Sequence, residues 1–419
     1  MMSSTSTESP AEQAADLQDE RLIQHEGLLG AARSFLVRMR GGDLGSLPVI
    51  AGLVLIWIIF QILNPNFLSA NNLVNLALQC ASVGVIAIGI VLVLLLGEID
   101  LSVGSVSGLS GAIVAITFLH FHVPLVIGIL LALVAAAVIG LIYGYLFTRF
   151  GVPSFVITLA GLLAILGFQL AVLGPEGSVE IPFSSWLVEF AQRWFLPPWA
   201  GYALAFIAAL SLFMSSVNKS RRRARAGLSV GSMSVTLVKS IALLVFLCAL
   251  VWYLATSDGV GVMFVFFILL IVFVNFMLTR TRWGRNVFAV GGSEEAARRA
   301  GVKVNRVYIS VFIVCSVLAA VGGILAAAYG GSATQSSGTN NVNLDAIASA
   351  VIGGTSFFGG RGGAYSALLG IVVIQSIASG LTLLNLNSDV QFMITGGVLL
   401  LALIIDSVSR RSRAAHGQA

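Results

Sequence analysis

Carboxylates, hydroxyls, arginines and glycines gather at three places where an apolar run breaks and restarts. The first is Gly97-Glu-Ile-Asp-Leu-Ser-Val-Gly-Ser-Val-Ser-Gly108, which puts two carboxylates, Glu98 and Asp100, into a break with almost no loop. Asp100 or Ser102 can cap the restarting helix by accepting from its orphan N–H groups, and negative charge there complements the helix dipole. Gly104, Gly108 and Gly111 then follow at spacings of four and three, a close-packing face. Cap and packing explain the stretch by themselves. A broken helix lining a pathway explains it too, because a carboxylate near membrane depth is costly and usually has a use. On that second reading Asp100, Ser102, Gly104 and Gly108 are pathway candidates.

The second break is Phe357-Phe-Gly-Gly-Arg-Gly-Gly363, with Gly359, Gly360, Arg361 and Gly362 as further pathway or broken-helix candidates. Its glycines are not a nucleotide cradle, since no G-x-x-x-x-G-K-[ST] occurs in the chain. The third stretch is Ala289-Val-Gly-Gly-Ser-Glu-Glu-Ala-Ala-Arg-Arg-Ala-Gly-Val302. Ser293 is placed to cap a helix. Glu294 and Glu295 fill its first turn and precede Arg298 and Arg299 by four residues each, the favourable order. Gly301 suits its C-terminal end. Ala296, Ala297 and Ala300 give it a small apolar face. Two turns are too few to be stable alone in water, so the helix must lean on a membrane surface or on a partner.

No reactive set accompanies these breaks. Cys80, Cys248 and Cys315 each lie alone inside an apolar run, as small buried hydrophobes do. His120 and His122 have no third ligand nearby. No catalytic and no metal-binding residues are therefore expected.

The segments flanking these breaks are apolar. Hydrophobic residues make up 58% of the 419, charged residues only 10%, and mean hydropathy is +0.98. A soluble domain carries roughly 25% charge, so lipid must be the main solvent. The expected fold is an all-α polytopic membrane protein with roughly 10–12 transmembrane segments, some broken or re-entrant, each needing about 20 apolar residues. The segments near 48–63, 104–119 and 346–358 are short. Residues 1–46 form a cytoplasmic N-terminal arm, largely disordered in its polar first thirty residues. Residues 47–406 form the membrane domain, with a charged inner loop at about 279–306, and 407–419 form a basic tail.

With the N-terminus inside and sides alternating, 22 of the 23 Lys and Arg residues fall on the inner side. Arg193 is the exception. Both termini are then cytoplasmic. The basic block Lys219–Arg225 reads as an inner-surface anchor, and Gly174–Pro198 and Gly330–Asn343 read as outer loops.

From about Ala70 to Arg410 these motifs together resemble the permease subunits of bacterial ATP-binding-cassette importers for monosaccharides. The most specific pieces are Gly97–Ser105, Ala289–Val302 and Ala350–Gly363. The extra sequence around Ser178–Gly261 and the N-terminal arm look most like D-xylose permeases. The resemblance implies a homodimeric permease in the bacterial cytoplasmic (inner) membrane, carrying a pentose. It also implies a separate cytoplasmic ATPase that holds ATP and magnesium, and an extracytoplasmic sugar-binding protein. It implies no cofactor in this chain and no nucleic acid. By analogy, Ser293–Gly301 is the helix that couples the permease to the ATPase. Many relatives have Gly where Glu98 stands, so Asp100 is the better candidate for a shared role.

A proton-coupled secondary sugar transporter is the main alternative, and it needs a titrating intramembrane acid for which Asp100, Asp345 and Asp389 are marginal. An integral-membrane enzyme is a distant third, because no reactive set accompanies the breaks.

Overall fold

A computed structural model describes residues 47–228, 232–339 and 341–387, with some further residues between 389 and 400. The arm and tail expected at 1–46 and 407–419, and most of the last expected segment, lie outside the described residues.

The described chain is almost wholly helical. Residues 197–255 form one compact unit, and a larger unit holds the rest of the described chain. The larger unit opens with α1 (Leu47–Leu63), α2 (Ala70–Leu95), α3 (Val103–Leu119), α4 (Leu125–Phe150) and α5 (Ser154–Leu173). A short β1 (Ser178–Glu180), α6 (Trp186–Gln192) and β2 (Phe195–Leu196) follow. The smaller unit is α7 (Pro198–Arg225) and α8 (Met233–Leu254). The larger unit then resumes with β3 (Val260–Gly261), α9 (Val262–Arg280), α10 (Arg282–Gly292), α11 (Glu294–Arg299), α12 (Val304–Gly330), β4 (Ser332–Thr334), α13 (Val342–Ile352) and α14 (Ala364–Leu383).

Among the described residues eight helices are long and apolar enough to cross a membrane, and α1, α3 and α13 are shorter apolar helices. At 1.5 Å per residue, α13 spans only about half of a roughly 30 Å hydrocarbon core. The stretch 353–363 that follows is turns and bends with positive φ at Gly354, Gly359, Gly360 and Gly362, so the expected segment at 346–358 is a half-helix followed by a glycine-rich return.

The core is organised around α2, whose most apolar window is 89% buried. α12 packs against α2, α3 and α4. These contacts are close because small residues make them. Along α4, Gly128, Ala132, Ala136, Gly140 and Gly144 recur every four residues and are all buried. A Cβ at Gly140 would fall 2.5 Å from the Phe312 carbonyl, and one at Gly144 2.6 Å from the Ile309 Cα. The opposite face of α4 exposes Val126, Leu130, Val134 and Leu141. In water that face would be a liability. In lipid it is the expected surface, and association comes from packing of small residues.

The larger unit has two distinct ends. At one, the Ser154 hydroxyl donates to Glu98 Oε2 at 2.6 Å, and Gly360 N–H donates to the Leu95 carbonyl at 2.9 Å. At the other, β1 pairs antiparallel with β4, with Val179 opposite Ala333. β2 pairs antiparallel with β3, with Phe195 opposite Gly261. Arg149, the basic residues from Arg280 to Arg306, and Arg361 belong to the first end, and Arg193 to the second. Within this unit the geometry therefore reproduces the charge sorting read from the sequence.

The smaller unit is an antiparallel hairpin in which Gly201, early in α7, meets Val251, late in α8. The basic block Lys219–Arg225 forms the last turns of α7 rather than a loop. Cations at a helix C-terminus are stabilised by the dipole, which makes that continuation favourable.

Candidate functional site

The three glycine-rich stretches, far apart in sequence, converge at the basic end of the larger unit. α2 ends at Leu95, and Gly97 turns the chain with a positive φ of 80°. The Leu95 carbonyl, left orphan by that ending, accepts from Gly360. Gly291 of α10 packs on the same carbonyl so closely that a Cβ there would stand 1.8 Å away. Gly359 completes the junction, between the Gly291 carbonyl and the Gly97 N–H. The loop of Gly359 and Gly360 is held by Ser356 N–H donating to the Arg361 carbonyl at 2.9 Å. Arg361 and Gly362 are exposed, and Gly362 abuts Thr355.

α11 rises from this junction. The Ser293 hydroxyl accepts from Ala296 N–H at 3.3 Å, the N-cap expected from its type. Arg298 pairs with Glu294 at 2.6 Å and Arg299 pairs with Glu295. Gly301 ends the turn at φ 82°, and Val302 N–H reaches back to the Ala297 carbonyl at 3.0 Å. The alanine face divides. Ala297 is buried in its own chain, whereas Ala296 and Ala300 are exposed together with Ser293, Glu294, Glu295, Arg298, Arg299 and Gly301. The helix therefore buries Ala297 against its own chain and leaves its other residues exposed.

α10, which carries α11, has no counterpart among the expected segments. Thr281 caps it by accepting from Gly284 N–H, and Gly284, Val287 and Val290 form its buried face. That i, i+3, i+6 pattern was the available signal, masked by the surrounding charges.

Next to the junction, Asp100 is 1% exposed. Its Oδ1 accepts from the Ser102 N–H at 2.8 Å and from the Ser102 hydroxyl at 2.7 Å. This differs from the expected cap. Ser102 makes no side-chain cap bond, and the Gly104 N–H at the start of α3 is taken by Asn343 Oδ1 from α13. The Tyr143 hydroxyl lies near Ser102 without hydrogen-bond geometry to it and has no partner among the described residues. Glu98, half-buried, lies between Ser154 and α11. Burial pushes its carboxyl above the usual carboxylate range, the Ser154 hydroxyl opposes the rise, and the nearby Glu294 adds to it.

Gly104 and Gly108 meet the segment after β4. A Cβ at Gly104 would fall 2.3 Å from the Gly338 carbonyl, and one at Gly108 2.1 Å from the Ser337 carbonyl. Fully buried Gln169 of α5 clamps that segment by donating to the carbonyls of Thr334 at 3.1 Å and Ser337 at 3.0 Å. Part of the stretch read as an outer loop is thus a re-entrant strap lying along α3. Asp100, Ser102, Gly104 and Gly108 are buried in these contacts. Among the described residues no cluster of three or more His, Cys, Asp or Glu side chains is placed to hold a metal ion.

An all-α bundle that buries small residues, turns its apolar faces outward and gathers broken helices at a charged end defines a membrane permease. The chain belongs to the transport-permease family described as "Branched-chain amino acid transport system / permease component", which it matches over residues 72–403. It is 33% identical over 345 residues to the xylose transport system permease protein XylH of Escherichia coli (strain K12), covering 82% of this chain and 87% of that protein. It is 32% identical over 359 residues to the ribose import permease protein RbsC of the same strain, covering 86% and 92%. Similarity of 31% over 362 residues extends to the probable ABC transporter permease protein YphD, covering 86% and 88%. No solved structure matches.

Proposed function

We propose that this chain is the permease subunit of an ATP-driven importer and forms the translocation pathway for a monosaccharide, a xylose-like pentose. It works as a homodimer in the bacterial inner membrane, with both termini and the basic end in the cytoplasm. A separate ATPase chain binds ATP and magnesium and docks on α11, and an extracytoplasmic binding protein delivers the sugar. The observation that carries this reading is α11 itself. It is a six-residue helix that satisfies its own charges, buries only Ala297, and stands on the junction of α2, α10 and the 357–362 loop. A helix so short needs a surface, and a rigid glycine junction beneath it supports passing a push from that surface to the broken helices. Relatives that transport xylose and ribose support the pentose.

The test is uptake of labelled D-xylose into vesicles holding the permease and its partner chains. Uptake that requires ATP and survives collapse of the proton gradient is expected. Uptake driven by the proton gradient without ATP would replace this reading by the secondary-transporter one.

A further inference from the structure

A pocket of ≈ 660 Å3 opens at the end of the larger unit opposite the glycine junction. That volume lies inside the roughly 300–1,000 Å3 range of small-molecule sites. Its lining comes from four places: Asn75 of α2, Gln192 and Arg193 at the end of α6 with Phe195 of β2, Asp258 ahead of β3, and Tyr329 at the end of α12.

The walls are fixed. Gln192 Nε2 donates to the Tyr329 carbonyl at 2.8 Å, Val262 N–H donates to the Trp194 carbonyl at 2.8 Å, and the β2–β3 ribbon ties the remaining segments together. The lining groups are not used up by these bonds. Among the described residues Arg193 and Asp258 have no ion-pair partner, and the Asn75 amide and the Tyr329 hydroxyl make no hydrogen bond. Arg193 and Asp258 are exposed at the mouth of the pocket, and Asn75 and Tyr329 are half-buried in its wall. Half-buried polar groups normally find partners, so a pocket edged by these open donors and acceptors suits a polar guest.

We propose that this pocket is the first contact site for a monosaccharide entering the permease, and that residues 186–196 and 258–261 form its outer wall. The inference rests on the sugar-importer reading above. Each sugar hydroxyl both donates and accepts. A carboxylate, a guanidinium fork, the Asn75 amide and the Gln192 amide oxygen serve adjacent hydroxyls from both sides, the Gln192 nitrogen being held by the Ala328 and Tyr329 carbonyls. The rings of Phe195 and Tyr329 offer apolar surface for the C–H face of the sugar. An amino-acid zwitterion would engage Arg193 and Asp258 but leave the two amides and the tyrosine hydroxyl unserved.

The experiment is saturation-transfer NMR on the purified full-length permease in lipid nanodiscs, with D-xylose and L-valine as probes. D-Xylose C–H protons should receive saturation from the wild type. The transfer should fall at least fivefold in each of Asn75→Leu, Arg193→Ala and Asp258→Ala, which alter three different elements, and persist in the surface control Glu180→Gln. Transfer to L-valine instead of D-xylose overturns the proposal, as does D-xylose transfer unchanged in all three variants. Uptake by the assembled system separates the two levels. If D-xylose is imported but the isolated permease shows no transfer, this pocket is not a sugar site and the importer reading stands. If no pentose is imported, that reading fails and takes this inference with it.

Discussion

The carbonyl of Leu95, at the last turn of α2, accepts a hydrogen bond from the N–H of Gly360 across 265 residues of chain, at 2.9 Å. Gly291 lies against the same oxygen. One carbonyl thus joins the end of the most buried helix, the glycine-rich return after α13, and the helix that carries α11. A displacement of α11 has a short covalent and packed route to both broken elements.

Gly291 is the tightest point of that joint, and it gives the first prediction. Gly291→Ala puts a methyl into backbone that cannot swing aside, whereas Gly292→Ala meets nothing within 4 Å. Overpacking of this kind costs about 1–3 kcal/mol. Gly291→Ala should lower uptake at least tenfold at similar membrane levels, and Gly292→Ala should stay within twofold of wild type. Immunoblots of membranes alongside labelled-sugar uptake measure both.

Gln169 is the clamp on the re-entrant strap. Gln169→Leu removes two hydrogen bonds and leaves the carbonyls of Thr334 and Ser337 without that partner. The loss should be about 1–3 kcal/mol. It should appear as faster hydrogen exchange in residues 332–339, with exchange in α2 unchanged.

The local features of the site were legible from the sequence, and the long-range ones were not. The Ser293 cap, the two Glu–Arg pairs and the Gly301 turn lie within four residues of their partners, and all form as read. The short segment at 346–358 signalled a broken helix because its apolar run could not cross a bilayer. Asn343, by contrast, takes the Gly104 N–H from 239 residues away, and no spacing rule connects them. The split of the alanine face, with Ala297 inward and Ala296 and Ala300 outward, depends on where α10 sets the short helix down. α6 and β1 were hidden inside a stretch whose composition reads as loop, because their order comes from distant partners: β1 pairs with β4, and α6 packs on α12 and α9.

Glu98 gives a pH prediction. Its folded-state pKa lies above the ordinary 4.5, so the folded chain holds this proton more tightly than the unfolded chain. The carboxyl therefore has no net effect on stability at low pH. It becomes destabilising as pH rises past the ordinary value, fully so above the raised one. Glu98→Gln should raise the melting temperature in detergent at pH 7 and leave it unchanged at pH 4. A variant less stable than wild type at pH 7 would mean that the bond to Ser154 outweighs the burial.

α11 is the proposed docking element for the ATPase. Ala296 is exposed and Ala297 is buried in the chain, so of these two neighbours Ala296 is the one that reports on a partner. The decisive measurement is sugar-stimulated ATP hydrolysis by the assembled complex in reconstituted membranes, for Ala296→Glu against wild type, with capture of the ATPase measured in parallel. An unpaired charge buried at a contact costs several kcal/mol. The prediction is normal insertion and dimerisation with stimulated hydrolysis reduced at least tenfold. Retained capture together with retained stimulated hydrolysis would contradict it, and would remove α11 from the coupling path.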